Sequence, residues 1–378
     1  MVMTVEFINK ENLRIARENM GLEVLVANSK ITKSKRNYID EWENGKSLPK
    51  WTQVAKLSKI YNVTEALFFT KELIERNKAI PDYRVAPRHE SDERVNKLIN
   101  LVISRQRWLE RKFREEGQKK NPLVGLGRGL IRPIQLAELI KQKLDIRIEI
   151  IKSFSGADAR KKVLKYLSQA AENQGIFVGK TISYHRLEVA DMRGLSVSNE
   201  YCPFVVINRK DSVSAQIFSF VHELAHLFRK SDAISNNLEF RTTTNSGNSE
   251  EVFCNKVAAE LLLPVNEFSN SFYGRDEIIA FSNIFKVSEL FIFYRLKELG
   301  KIKKLDQERL EKELKAEMKR HLQLKAAQDA EMEGGHYTNA MKDSNGELFN
   351  RVVAEAYFNN DINRVEASYL LRFSPEEV

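Results

Sequence analysis

His222-Glu223-Leu224-Ala225-His226 places two imidazoles four positions apart, so on a helix both project from one face toward a common point. That is the geometry of a metal-binding pair. Glu223 follows the first histidine directly, where its carboxylate sits beside a metal-bound water instead of on the ion, as a general base would. With six histidines and 52 acidic residues in 378 positions, chance yields such a run about 0.01 times per chain. Phe218, Val221, Leu224, Ala225 and Phe228 make the helix apolar on several sides and therefore buried, and buried histidines and carboxylates are costly without partners. A metal supplies those partners; the competing account is two satisfied core histidines beside a surface-facing glutamate.

A catalytic zinc site keeps three protein ligands and one open position. The third ligand is sought in SEEVFCNKVAAELLLP, which reads as a helix with an acid-rich start and an end marked by Pro264. Glu251 is the expected ligand, in the first turn, and Asn255 one turn on can hydrogen-bond the second nitrogen of a ligand histidine. Glu250 is the alternative in the neighbouring register, and Glu260 a further one. Three available ligands also speak against a purely structural zinc, which usually fills four positions.

The elements that must hold these groups follow from periodicity and breakers. Short helices are expected at Leu13–Asn19, at Val24–Ser29, in a segment ending at Trp42-Glu43, and at Trp51–Tyr61, giving an all-α bundle. An amphipathic helix follows over 92–117, with Leu98, Leu101, Val102, Trp108 and Leu109 inward. Then come a helix at Ala159–Asn173 and β-like pieces at 176–178, Leu187–Val189, Gly194–Val197 and Phe204–Asn208. Helices are expected at 213–230, 250–263 and 276–299, a long exposed one at 305–333 ending at Gly334-Gly335, and a helical tail at 346–372. The expected fold class is α+β and predominantly helical, with domains at 1–75, 76–157, 158–300 and 301–378.

From Phe177 to Pro264 the chain resembles the ImmA/IrrE family of zinc metallopeptidases, through RGLSV, CPFVVINRKDSVSAQIFSFVHELAHLF and E-x-x-x-NKVAAELLLP. The resemblance implies a zincin-like core, His222, His226 and Glu251 as ligands of Zn2+, and Glu223 as catalytic acid/base of a gluzincin-like endopeptidase. Ser219, Cys254 and Val257 stand where the family has threonine, alanine and phenylalanine. Residues 13–69, through ARENMGL, YIDEWENGKSLPKWTQVAKLSKIYNV and ALFF, resemble the Xre/Cro-type helix-turn-helix often fused ahead of this peptidase. FSNIFKVSELFIFYRLKELGKI resembles the helical element after the zinc helices, and GGHYTNAM, GELFNRVVAEAY and INRVEASYLL the C-terminal extension of long members. The implied activity is regulatory cleavage of a specific protein, such as a transcriptional repressor or a toxin–antitoxin partner. The alternative is a non-proteolytic DNA-binding repressor or antitoxin that neutralises a toxin by binding it.

In such a module the second helix of the pair, near Thr32–Glu43, would present Lys33, Lys35, Arg36 and Asn37 to DNA. Asp40, Glu41 and Glu43 follow at once and oppose that use; a homodimer contact or partner recognition is the other role for the module. In the peptidase, a substrate would lie extended along an edge strand near Leu195–Ser198. Tyr184, His185, Arg193, His336 and Tyr337 have the chemistry to stabilise an oxyanion, without one being singled out.

Composition agrees with these assignments. Sixty-one Lys and Arg against 52 Asp and Glu give a net charge of +9, which suits an acidic partner or nucleic acid. Residues 95–145 carry most of that excess, although a solvated helix face has the same pattern. No apolar run reaches a membrane span, the N-terminus has no basic-then-apolar leader, and Cys202 and Cys254 cannot form a disulfide framework, so a cytoplasmic protein without a membrane partner is expected.

Overall fold

The structure, a computed structural model, describes residues 5, 7–74, 76, 89–182, 185–231, 233–235, 249–331 and 337–378. Two compact units divide it, one built from residues 1–80 and 86–108, the other from 81–85 and 109–378.

In the first unit Asn9 starts α1 (Lys10–Asn19) by accepting hydrogen bonds from the Glu11 and Asn12 backbone N–H groups, which moves the start three residues ahead of the apolar run. α2 (Val24–Ile31) follows, and Asn37 caps α3 (Tyr38–Glu43) through the Asp40 N–H. α4 (Trp51–Tyr61) ends at Asn62 in the left-handed region, φ 52°. Leu13, Met20, Ile39, Trp42, Leu57, Tyr61 and Phe68 meet in the middle. Arg17 of α1 donates to both carboxylate oxygens of Glu43 at 2.7 and 2.9 Å and to the Leu22 carbonyl at 2.7 Å, closing a buried ion pair between α1 and α3. The amphipathic helix is α5 (His89–Glu115), and the division between the units falls inside it.

The second unit is α+β and mainly helical. α6 (Pro133–Leu144) opens with proline at its first position, and α7 (Ile148–Ser153) and α8 (Ala159–Glu172) lead into the sheet. Its strands are β1 (Phe177–Lys180), β2 (Gly194–Val197) and β3 (Phe204–Ile207), followed after α9 (Val213–Arg229) by β4 (Ala233–Ser235). They lie in the order β1-β3-β2-β4, with β1 parallel to β3 and the other pairs antiparallel. β2 and β3 are buried along their whole length, as strands covered on both faces are. α9 packs on β2 and β3, and α10 (Ser249–Leu262) packs on α9 and α6. Phe177 and Phe204 stack at 4.9 Å and meet Phe349 edge-on at 6.5 and 6.3 Å. Beyond α10 come α11 (Arg275–Phe285), α12 (Glu289–Glu298), α13 (Lys304–Glu331), α14 (Tyr337–Asn345), α15 (Glu347–Phe358), which bears Phe349, and α16 (Arg364–Leu371).

Three expectations need correction. Residues 276–299 form two helices, because Lys286 turns left-handed at φ 62° and Ser288 caps a new helix by accepting from the Phe291 N–H. Leu187–Val189 is not a strand: Asn208 donates to the Glu188 and Met192 carbonyls and Asp191 accepts from the Glu188 N–H, so side chains satisfy backbone groups that a ladder would otherwise use. The strand at 194–197 is not an edge, since β4 pairs with it opposite β3. Gly334 and Gly335 lie outside the described residues. Within the basic stretch, Lys112 pairs with Glu116 and Asp361, Arg114 with Glu110, Lys120 with Glu200 and Lys141 with Glu138. Of these acids only Asp361 and Glu200 lie outside the stretch, so these pairs offset only a small part of its excess charge.

Candidate metal centre

α9 is where helix propensity, capping and burial coincide. Ser212 caps its start through the Ala215 N–H, and every residue from Ala215 to Phe228 is buried. Lys230 closes its end in the left-handed region, φ 57°, and the Ser231 N–H returns to the His226 carbonyl at 2.9 Å, a Schellman-type stop. His222 and His226 thus face the same way, with Nε2 atoms 3.0 Å apart.

α10 brings Glu251 to them. Its Oε2 lies 3.3 Å from His222 Nε2 and its Oε1 2.9 Å from His226 Nε2. Oε1 closes no hydrogen bond of regular geometry despite that approach; it is placed as a ligand atom would be. Tetrahedral zinc with bonds of about 2.0–2.2 Å sets its ligand atoms roughly 3.3 Å apart, so two imidazole nitrogens and a carboxylate oxygen at these separations fit the ion. Burial alone would lower the His222 pKa and raise that of Glu251, but their mutual hydrogen bond and charge outweigh it, raising His222 and lowering Glu251.

The other candidate acids are engaged elsewhere. Glu250 accepts from Arg229 at 2.5 and 3.0 Å and from Ser231 at 3.0 Å. Glu260, toward the far end of α10, pairs with Arg295 at 2.5 Å. His226, Glu250 and Cys254 form a second group of converging ligand atoms, but the Arg229 guanidinium already supplies the positive charge there. Asn255 is near enough to His222 to favour its protonated form, although His222 Nδ1 and Asn255 Oδ1 do not close a hydrogen bond of regular geometry.

Glu223 is fully buried, and Gly194 of β2 makes room for it. A Cβ at that position would meet the Glu223 carboxylate and come within 2.8 and 2.9 Å of its Cγ and Cδ. The glycine of the RGLSV motif is therefore a steric requirement of the carboxylate opposite. Sequence reasoning gave Gly194 no role, because the contact crosses from strand to helix. It also missed Ser231, whose hydroxyl lies 3.1 Å from His226 Nδ1; a serine just beyond a helix stop was the available signal.

Among the other residues of interest, His185 Nδ1 accepts from the Ile182 N–H at 3.0 Å, Arg193 pairs with Asp211, and Tyr337 is exposed at the start of α14. Tyr184 and His336 lie outside the described residues. Cys202 and Cys254 are buried free thiols, and burial pushes the pKa of each well up. In the first unit, Lys33 and Lys35 are exposed, Arg36 donates to both carboxylate oxygens of Glu41 at 2.6 Å, and Asn37 serves as the α3 cap.

The α+β unit thus brings two histidines of a buried helix and a glutamate of the next together as a group that could hold a metal ion. Residues 178–297, 120 of the 378, match a family model described as the IrrE N-terminal-like domain, a metallopeptidase family. His222, Glu223, His226, Glu251 and Gly194 all fall inside that span. No curated protein matches the chain. Among the described residues, no helix is long and apolar enough to cross a membrane.

Proposed function

We propose that this chain is a zinc-dependent endopeptidase that cleaves a specific protein, such as a transcriptional repressor or a toxin–antitoxin partner. The observation that carries this reading is the convergence of His222, His226 and Glu251 next to Glu223, inside a segment that matches a metallopeptidase family. His222 Nε2, His226 Nε2 and Glu251 would hold the zinc, which supplies Lewis acidity toward a carbonyl and toward water. Glu223, one position after the first ligand and backed by Gly194, takes the proton from the attacking water and delivers it to the leaving amine. Burial of α9 keeps bulk water from screening these charges.

Fusion to a DNA-binding-type module belongs to the same proposal. The short helices of the first unit suit a helix-turn-helix, with Lys33 and Lys35 available to phosphates. Base readout through Arg36 and Asn37 would first have to break the Glu41 pair and the α3 cap.

The test incubates the purified full chain with a bacterial protein extract and reads new protein N-termini by mass spectrometry. The wild type should carry one equivalent of zinc and generate a small set of specific new termini. Glu223→Gln should keep the zinc and lose about 10²- to 10⁴-fold in cleavage rate. Equal activity of the two proteins, or their equal effect in the cell, would leave the binding-only repressor or antitoxin as the explanation.

A further inference from the structure

The C-terminal stop of α9 does more than end the helix. Lys230 in the left-handed conformation reverses the chain, and Ser231 lands with its Oγ 3.1 Å from His226 Nδ1 and 3.0 Å from Glu250 Oε1. Arg229, the last residue of the same helix, donates to both Glu250 oxygens at 2.5 and 3.0 Å and to the Leu130 carbonyl at 2.8 Å. Glu250, gripped by a guanidinium that can only donate, acts as an acceptor. The single hydroxyl proton of Ser231 therefore goes to Glu250, and Ser231 Oγ is left to accept from His226 Nδ1–H. With the ring proton on Nδ1, the Nε2 lone pair is free for a metal ion; without the ion, the Glu251 carboxylate 2.9 Å from Nε2 competes for that proton.

We infer that Arg229, Glu250 and Ser231 form a relay that fixes the His226 tautomer and so presets Nε2 for a metal ion. Ser231 and Glu250 are positioning residues, because they act only through the imidazole. The one rival for Nδ1 among the contacts described is Cys254, whose Sγ lies 3.6 Å away; a thiol is the weaker partner. Orienting partners of this kind typically affect metal affinity by about 10- to 100-fold. The inference rests on the reading of His226 as a ligand through Nε2, yet half of its test needs no metal.

Two measurements on the full chain decide it. The first is the ring nitrogen NMR spectrum of metal-free protein labelled at histidine. In a Glu251→Ala background, which removes the competing carboxylate, His226 should be protonated at Nδ1, adding Ser231→Ala should move the proton toward Nε2, and Ser231→Thr should restore it. The second is Zn2+ affinity by competition with a chromophoric chelator. Ser231→Ala should bind about 10- to 100-fold more weakly, while Ser231→Thr and Cys254→Ala stay within about threefold of wild type. Unchanged tautomer and affinity in Ser231→Ala would overturn the relay, as would a tautomer that responds to Cys254→Ala instead. If wild type binds no zinc, the peptidase reading fails, while the NMR comparison still reports on the relay by itself.

Discussion

Each unit of this molecule buries a cluster of opposite charges, and the two are built differently. In the first unit Arg17 and Glu43 form a closed pair: the carboxylate takes two hydrogen bonds from the guanidinium, and a third guanidinium N–H goes to the Leu22 carbonyl. In the second, Glu251 approaches His222 and His226 at 3.3 and 2.9 Å, and one of its oxygens closes no regular hydrogen bond. The first cluster is complete within the protein, whereas the second has the spacing of ligands around a central ion. Burial of charge marks both; in the second, two imidazole nitrogens and the carboxylate oxygens lie 2.9 to 3.3 Å apart, a spacing that suits a shared ion.

The largest effects would test this contrast directly. His226→Ala should leave no zinc bound after dialysis while the second unit stays folded, as read by metal analysis and circular dichroism. Arg17→Ala should do the reverse. Removing one partner from a buried pair costs about 3–5 kcal/mol, so unfolding of the first unit should move to lower denaturant with zinc content unchanged. Loss of zinc in Arg17→Ala, or collapse of the second unit in His226→Ala, would break the distinction between the two clusters.

A smaller effect is expected at the strand beneath Glu223. Gly194→Ala puts a Cβ against the Glu223 carboxylate and must displace it. A shift of about 1 Å in a catalytic group costs on the order of 10²-fold in rate. Gly194→Ala should therefore keep one equivalent of zinc and wild-type chelator resistance while cleavage falls by about that factor. A parallel loss of zinc would mean that the glycine supports the ligands and not the base.

Much of this could be read from residue types and spacing. Helical periodicity locates α4 and α9 to within a residue, and the register of His222, His226 and Glu251 follows from one-turn spacing and an acid-rich helix start. What escaped depends partly on local backbone reversals and partly on contacts between residues distant in sequence. The break at Lys286 is hidden because apolar residues continue on both sides, and its signals are a left-handed lysine and a serine cap. Asn208 removes Leu187–Val189 from the sheet by hydrogen-bonding Glu188 and Met192 from 16 to 20 residues away. Arg229 engages Glu250 and so favours Glu251 as the ligand, a contact that adjacent residues on a helix offered no way to see.

Glu172 is an intermediate case that sharpens the comparison, a buried carboxylate with neither an arginine fork nor ligand neighbours. Its Oε1 accepts from the Leu348 N–H at 3.1 Å at the start of α15. Gly346 there, at φ 85°, leaves no space for a Cβ between Val178 O and Glu172. Burial pushes the Glu172 pKa up to about 7, with Glu347 adding to the rise and the Leu348 and Val178 N–H groups and Arg351 opposing it. An acid whose pKa is higher folded than unfolded favours folding below its unfolded pKa, near 4.5, and that contribution disappears as pH rises through about 7. The span corresponds to about 3 kcal/mol at most. Glutamine keeps the carbonyl acceptor for Leu348 and cannot ionise. Relative to wild type, Glu172→Gln should therefore be close to neutral at pH 5 and more stable by up to about 3 kcal/mol at pH 8, read as the difference between the two denaturation curves at each pH so that other titrating groups cancel. A difference independent of pH would show that Glu172 is already ionised at pH 5 and that the α15 N–H groups, with Arg351, satisfy it as fully as Arg17 satisfies Glu43.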